Sequence, residues 1–173
     1  MSELDDLRRE VRRLSDKDEI RDLFTALGQG MDAQDWDLLD TLWAEDAIFD
    51  HSGWKWEGMS EDVWKGRPSI MDKMREGVSK HFTSHHLMAN ERITLDGDKA
   101  KAIVYLHSVH VDDPNRLDDH GDHGAFYSSE LVRTSQGWRI WRLAHTCVWT
   151  SGTYRAQGPL TKKDVAILKN HLR

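Results

Sequence analysis

Apolar residues recur at helical spacing through the first third of the chain. Leu4, Leu7, Val11 and Leu14 form one run, and Ile20, Leu23, Phe24, Leu27 and Met31 form a second. The Ser15-Asp16 step between them, with Asp18 and Glu19 just downstream, predicts a helix end and a new N-cap, hence two consecutive helices. Asp35 then caps a third, short helix whose Leu38, Leu39, Leu42 and Trp43 share one face. Ala47 to His51 predicts a strand leading into a Gly- and Trp-rich turn, and Arg67-Pro68-Ser69 opens a helix through about Ser79.

From residue 81 the period becomes two. Segments 81–95 and 99–111 flank Asp96-Gly97-Asp98, a hairpin signal, and segments 125–134 and 138–150 flank Ser135-Gln136-Gly137. The polar stretch 112–124 between the hairpins predicts a loop, and Thr161 to Leu172 a last amphipathic helix behind Gly158-Pro159. Helices followed by a long meander predict an α+β domain, a curved antiparallel sheet wrapped around the N-terminal helices, with a cup between them.

Size and charge narrow the class. The 173 residues suit a single domain, with a core over about 16–150, a helix over 1–15, and a tail and helix over 151–173. A net charge of -6, from 24 Lys+Arg against 30 Asp+Glu, argues against a nucleic-acid partner, which needs clustered cations. The longest apolar runs are only a few residues, so no membrane span is expected. The mixed-charge start lacks the apolar stretch of a secretory signal, and Cys147 is the single cysteine, which excludes an internal disulfide; the expectation is a cytoplasmic protein.

Ten histidines are the candidate chemistry. By strand parity His86, Met88 and Asn90 share one face and His85, Leu87 and Ala89 the other; Val104, Leu106, Ser108 and His110 form a row, and Ala125, Tyr127, Ser129, Leu131 and Arg133 another. Asp32, at the margin of its helix's apolar stripe, is placed to reach inward. A carboxylate that meets an imidazole fixes its tautomer and raises its basicity; the plainer reading is a helix-ending aspartate and a satisfied histidine. Asp and His cluster in Asp118-Asp119-His120-Gly121-Asp122-His123, yet without cysteine or a His-Glu-x-x-His spacing the reading is a solvated loop beside the pocket mouth and no metal. Trp54, Trp56 and Trp64 form either a lid or wall packing, and Cys147 reads as a small buried residue.

The segment from Met31 to Leu39, followed by Trp43-Ala44-Glu45-Asp46-Ala47, resembles the start of SnoaL-like proteins of the nuclear transport factor two-like superfold. Thr83 to Asn90 resembles the histidine strand of that family, Asp96 to Ala100 its hairpin, and Gly137-Trp138-Arg139-Ile140 its final turn. The resemblance implies a cone-shaped α+β barrel. It is strongest toward scytalone dehydratase, bile acid 7α-dehydratase and hexachlorocyclohexane dehydrochlorinase, which remove a proton and a leaving group without a cofactor. Carried onto this chain, it implies Asp32 and His86 as the acid/base pair, His110 as a pocket histidine and Arg133 as a residue near a pocket arginine, while Met31 and His51 stand where scytalone dehydratase has tyrosines. Tyr127, Ser129 and Met88 join the substrate-binding set by parity. His51 either polarises a carbonyl or holds a leaving hydroxyl, or it ends a strand at the surface.

The resulting expectation is a cofactor-independent lyase or isomerase, dehydratase-like, acting on a small, largely apolar cyclic or polyketide- or steroid-like molecule. The partner expected besides substrate is its own kind, a homo-oligomer with a trimer favoured over a dimer. The alternative is a non-catalytic binding or assembly subunit, like the small subunits of ring-hydroxylating dioxygenases.

Overall fold

A computed structural model describes residues 2–53 and 63–152. Trp54, Trp56 and the 161–172 helix expected from the sequence lie outside the described residues. Among those described, the order is α1 (Glu3–Ala33), α2 (Trp36–Thr41), β1 (Trp43–Gly53), β2 (Val63–Lys65), α3 (Arg67–Val78), β3 (Thr83–Asp96), β4 (Lys99–Val111), β5 (His120–Thr134) and β6 (Gly137–Gly152). No helix among the described residues is long and apolar enough to cross a membrane.

The two expected N-terminal helices are one. α1 runs unbroken for 31 residues from a capping box, in which Ser2 Oγ accepts from the Asp5 N–H and the Asp5 carboxylate accepts from the Ser2 N–H. Ser15 does not cap a helix, because neither Gly nor Pro interrupts the chain there and Asp16 has a tertiary use. Its carboxylate meets Arg133 Nη2 at 2.5 Å and accepts from Trp138 Nε1 at 3.4 Å. The Arg133 hydrogen bond, against the opposing effect of burial, holds the Asp16 carboxyl below the usual range. Arg133 also reaches Asp98 at 2.9 Å and lies over the Trp138 ring at 4.5 Å.

Arg133 therefore ties α1 to the β5–β6 hairpin, and this corrects its expected place in a pocket. Asp16 precedes Asp32 by roughly 24 Å of helix. Substituting Arg133→Met strands a buried carboxylate and is expected to cost about 2–4 kcal/mol, read from the urea midpoint. A residue that served substrate alone would leave that midpoint unchanged.

Six strands form one sheet in the order β2-β1-β6-β5-β4-β3, curved and unclosed. The expected antiparallel sheet is instead mixed: β1 pairs with β6 in parallel, with Phe49 opposite Leu143, because the chain crosses from β1 through α3 and the whole meander before β6 returns beside it. The loop expected over 112–124 is also shorter, since His120 to Gly124 belong to β5. Gly121 to Gly124 are paired on both sides, His123 with Ser108 of β4 and Thr150 of β6. Residues of weak strand propensity are held there by ladders on two flanks.

α1 lies across the concave face. Ile20, Leu23, Phe24, Leu27 and Met31 pack with Val104, Leu106, Tyr127, Leu131, Trp138 and Leu143 in one core. Gln34, in the left-handed region at φ 53°, ends the helix two residues after Asp32, and its N–H bonds the carbonyls of Gly30 and Met31. Asp35 then caps α2 by accepting from the Leu38 N–H at 3.0 Å.

Candidate active site

The last turns of α1 meet β3, an edge strand of the sheet. Asp32 Oδ1 lies 2.6 Å from His86 Nδ1, and its Oδ2 accepts the His86 backbone N–H at 3.0 Å. Ser84 Oγ donates to Oδ1 at 3.1 Å. Three donors thus fix one carboxylate, two of them on a single residue. Burial alone would raise the Asp32 carboxyl; the bonds from the His86 ring and backbone outweigh it and hold the carboxyl below its usual range. An ionised carboxylate only accepts, so His86 Nδ1 carries a proton, and in the neutral imidazole it is Nε2 that holds the lone pair. The His86 side chain is 5% exposed and that of Asp32 24%.

Gly28 sets how closely helix and strand approach. One turn before Asp32 on the same face, a Cβ at this position would sit 3.2 Å from the His86 carbonyl oxygen and 3.8 Å from Met88 Cε. The carbonyl belongs to the strand and cannot swing aside. Gly28→Val is therefore expected to push α1 off β3 and break the Asp32–His86 bond, seen as loss of the downfield His86 Nδ1–H proton resonance in NMR spectra of a still-folded protein.

Other imidazoles gather around His86. His110 is edge-on to it, with ring centroids 5.1 Å apart, and lies parallel to His123 at 5.9 Å. His123 meets His145 at 5.4 Å, and His145 meets His51 at 4.9 Å and Tyr127 at 5.3 Å. His51 stacks on Trp64 at 5.2 Å, beside Phe49. His123 Nδ1 and Ser108 Oγ are 2.7 Å apart. At the rim His81 bonds Asp112 at 2.6 Å and lies 4.4 Å from His110.

Burial keeps the deeper imidazoles neutral. It pushes His110 down to about 3, assisted by its neighbours His86 and His81, and lowers His123 and His145 far below the usual imidazole value. Burial also raises the Tyr127 phenol. The inner face of the sheet thus carries buried neutral imidazoles and a phenol that hydrogen-bond in either sense, next to one imidazole backed by a carboxylate. Among the described residues no group of three or more His, Cys, Asp or Glu is placed to hold a metal ion.

The structure brings Asp32, His86, Met88 and His110 together, and His51 and Tyr127 join them through His145. Ser129 is buried one inward position beyond Tyr127, between Ala102 and Leu143, and Arg133 lies elsewhere. Asn90 leaves the inward row: it stands exposed at a bulge with φ 57°, after which Ile93 becomes the buried position. His81, His123 and His145 are the residues that sequence reasoning missed. His123 lay in the expected loop, and His145 follows a register shift between Ile140 and Leu143 that reverses parity. The count of ten histidines points toward them, and for His123 also the Asp and His cluster over 118–123.

The model of the SnoaL-like domain family matches residues 12–144. Protein Rv2910c of Mycobacterium tuberculosis is 27% identical over 143 residues, covering 79% of this chain and 88% of that protein. Among solved structures, the Kfla4162 protein from Kribbella flavida superposes with a TM-score of 0.72 at 21% identity, over 80% of this chain and 95% of that one. Hexachlorocyclohexane dehydrochlorinase LinA-type3 from Novosphingobium barchaimii gives 0.69 at 20% identity, over 87% and 99%. At these identities the superpositions carry the fold.

Proposed function

The chain belongs to the SnoaL-like domain family, and from that premise we propose that it is a cofactor-independent lyase or isomerase, dehydratase-like, acting on a small, largely apolar cyclic molecule of polyketide or steroid type. The observation that carries this reading is the Asp32–His86 pair at 2.6 Å, set against the neutral imidazole of His110 beside the apolar core. The dehydrochlorinase with the same fold performs an elimination, which is the reaction class the pair suits.

In this reading His86 Nε2 removes a proton from carbon beside a carbonyl or leaving group. Asp32, bonded to Nδ1–H, stabilises the imidazolium that forms. The new Nε2–H then donates to the departing hydroxyl in a dehydration, or returns the proton to another carbon in an isomerisation. His110, held neutral, does not compete for the proton and instead offers a hydrogen bond to a substrate oxygen, as does His51 on the opposite side of the cup. Met88, Tyr127 and Trp64 supply apolar wall.

Proton abstraction is testable before the substrate is known. Incubating the protein with a panel of cyclic and aromatic ketones in D2O is expected to give deuterium at the carbon next to the carbonyl, followed by NMR, for at least one that binds. Ketones that bind without exchange or conversion would overturn the catalytic reading and favour a binding module.

A further inference from the structure

The first half of α1 carries an apolar stripe that is left exposed among the described residues. Leu4, Leu7, Val11 and Leu14 are 54%, 60%, 58% and 53% exposed. Their steps of three, four and three residues are those of heptad positions a, d, a and d. At about 100° per residue this stripe points roughly opposite to the face of Ile20, Leu23, Phe24, Leu27 and Met31, which is buried in the core. Because α1 is one continuous helix, no rotation of the domain turns the stripe onto its own sheet. The next a and d positions are Asp18 and Arg21, so the seam stops where contact with the sheet begins.

We propose that a second copy of this chain covers the stripe, with residues 4–14 of the two copies forming a short parallel two-stranded coiled coil. Val11 at a between Leu7 and Leu14 at d is the arrangement that favours two strands. The flanking charges choose the direction. Glu3 and Glu10 occupy g positions and Arg8 an e position. A parallel pair sets Glu3 beside Arg8 of the other copy, whereas an antiparallel pair sets g against g and e against e, Glu beside Glu and Arg beside Arg. Arg8's contact within its own helix, 3.9 Å from Asp5, is exposed and weak, so the guanidinium is available to cross the seam. Such a short seam would not order isolated peptides. Here both helices are already folded and anchored by their second halves. This contact is separate from any assembly through the outer sheet face.

Sedimentation equilibrium of the full chain against the Leu7→Asp/Leu14→Asp variant tests the proposal. Both positions are exposed within a single chain, so far-UV circular dichroism is expected to show the fold retained while the particle mass falls by half at matched concentration. A Leu7→Cys variant adds a direct readout of direction. Position 7 faces itself only in the parallel register, and the native Cys147 is buried, so mild oxidation is expected to link two chains through position 7. Equal masses for wild type and the double variant would overturn the pairing, as when the chain's own 153–173 segment or a foreign protein fills the stripe. Failure of Leu7→Cys to cross-link alongside a halved mass would overturn the parallel arrangement.

Discussion

Replacing His86 by Gln is expected to lower turnover by about 10²–10⁴-fold with any substrate the wild-type protein converts, with little change in substrate binding. Glutamine keeps the bulk and a hydrogen-bonding end, and its N–H can still face Asp32, so the pocket survives. What it lacks is a lone pair able to hold a proton near neutral pH. Asp32→Asn removes a different function. With its oxygen in the Oδ1 place the amide can accept from His86 Nδ1–H and Ser84, but it cannot stabilise the imidazolium with a charge, and its NH2 then meets the His86 backbone N–H, donor against donor. Loss is expected in kcat rather than KM. Rates measured by the absorbance of a conjugated product give both parameters. An unchanged kcat in His86→Gln would remove this residue from the chemistry, whatever the geometry.

The fold is expected to lose stability as the pH falls through about 6.5, with a slope that steepens toward a ceiling of about 4 kcal/mol per pH unit at about pH 5.5 and below. The sign follows from which state binds protons. In the unfolded chain His110, His123 and His145 take up protons near the ordinary imidazole value. In the folded protein all three are pushed far down, first by burial and then by neighbouring imidazoles. Below about 6.5 the unfolded state therefore binds up to three more protons than the folded one, and each is worth about 1.4 kcal/mol per pH unit. This contribution is complete above neutrality and declines toward acid. Asp16 and Asp32, whose carboxyls are lowered, add a further loss only below the ordinary carboxylate range. Urea midpoints at pH 7.5, 6.5 and 5.5 give the slope. A flat profile would mean that these imidazoles are hydrated or charged in the native protein.

The dyad was legible and its surroundings were not, for separable reasons. Asp32 and His86 each lie in a run of regular period, and the resemblance to a known family selected them from ten histidines. Their meeting depends on Gly28, whose missing side chain is silent in a periodicity argument. Strand parity placed His110 and Tyr127 because β4 and the middle of β5 are regular. It fails at Asn90, where a bulge reverses it, and a bulge has no dependable mark in a single sequence. His123 was lost with its loop, since a Gly- and Asp-rich segment becomes a strand only when two neighbours hold it. The join at Ser15-Asp16 misled for the opposite reason: a good capping residue was present, while the use of Asp16 depends on Arg133, more than a hundred residues away. The parallel pairing of β1 with β6 is a long-range return that local patterns do not encode.

One consequence of the Asp32 geometry concerns solubility. β3 is a long edge strand, paired with β4 on one side only, and such an edge is a template for a strand from another molecule. The His86 backbone N–H on that open side is already occupied by Asp32 Oδ2, and α1 lies against the strand there. Further along, the bulge at Asn90 and the charges of Glu91 and Arg92 break the flat run that aggregation would require. The carboxylate that holds the imidazole thus also occupies a backbone donor that an incoming strand would need.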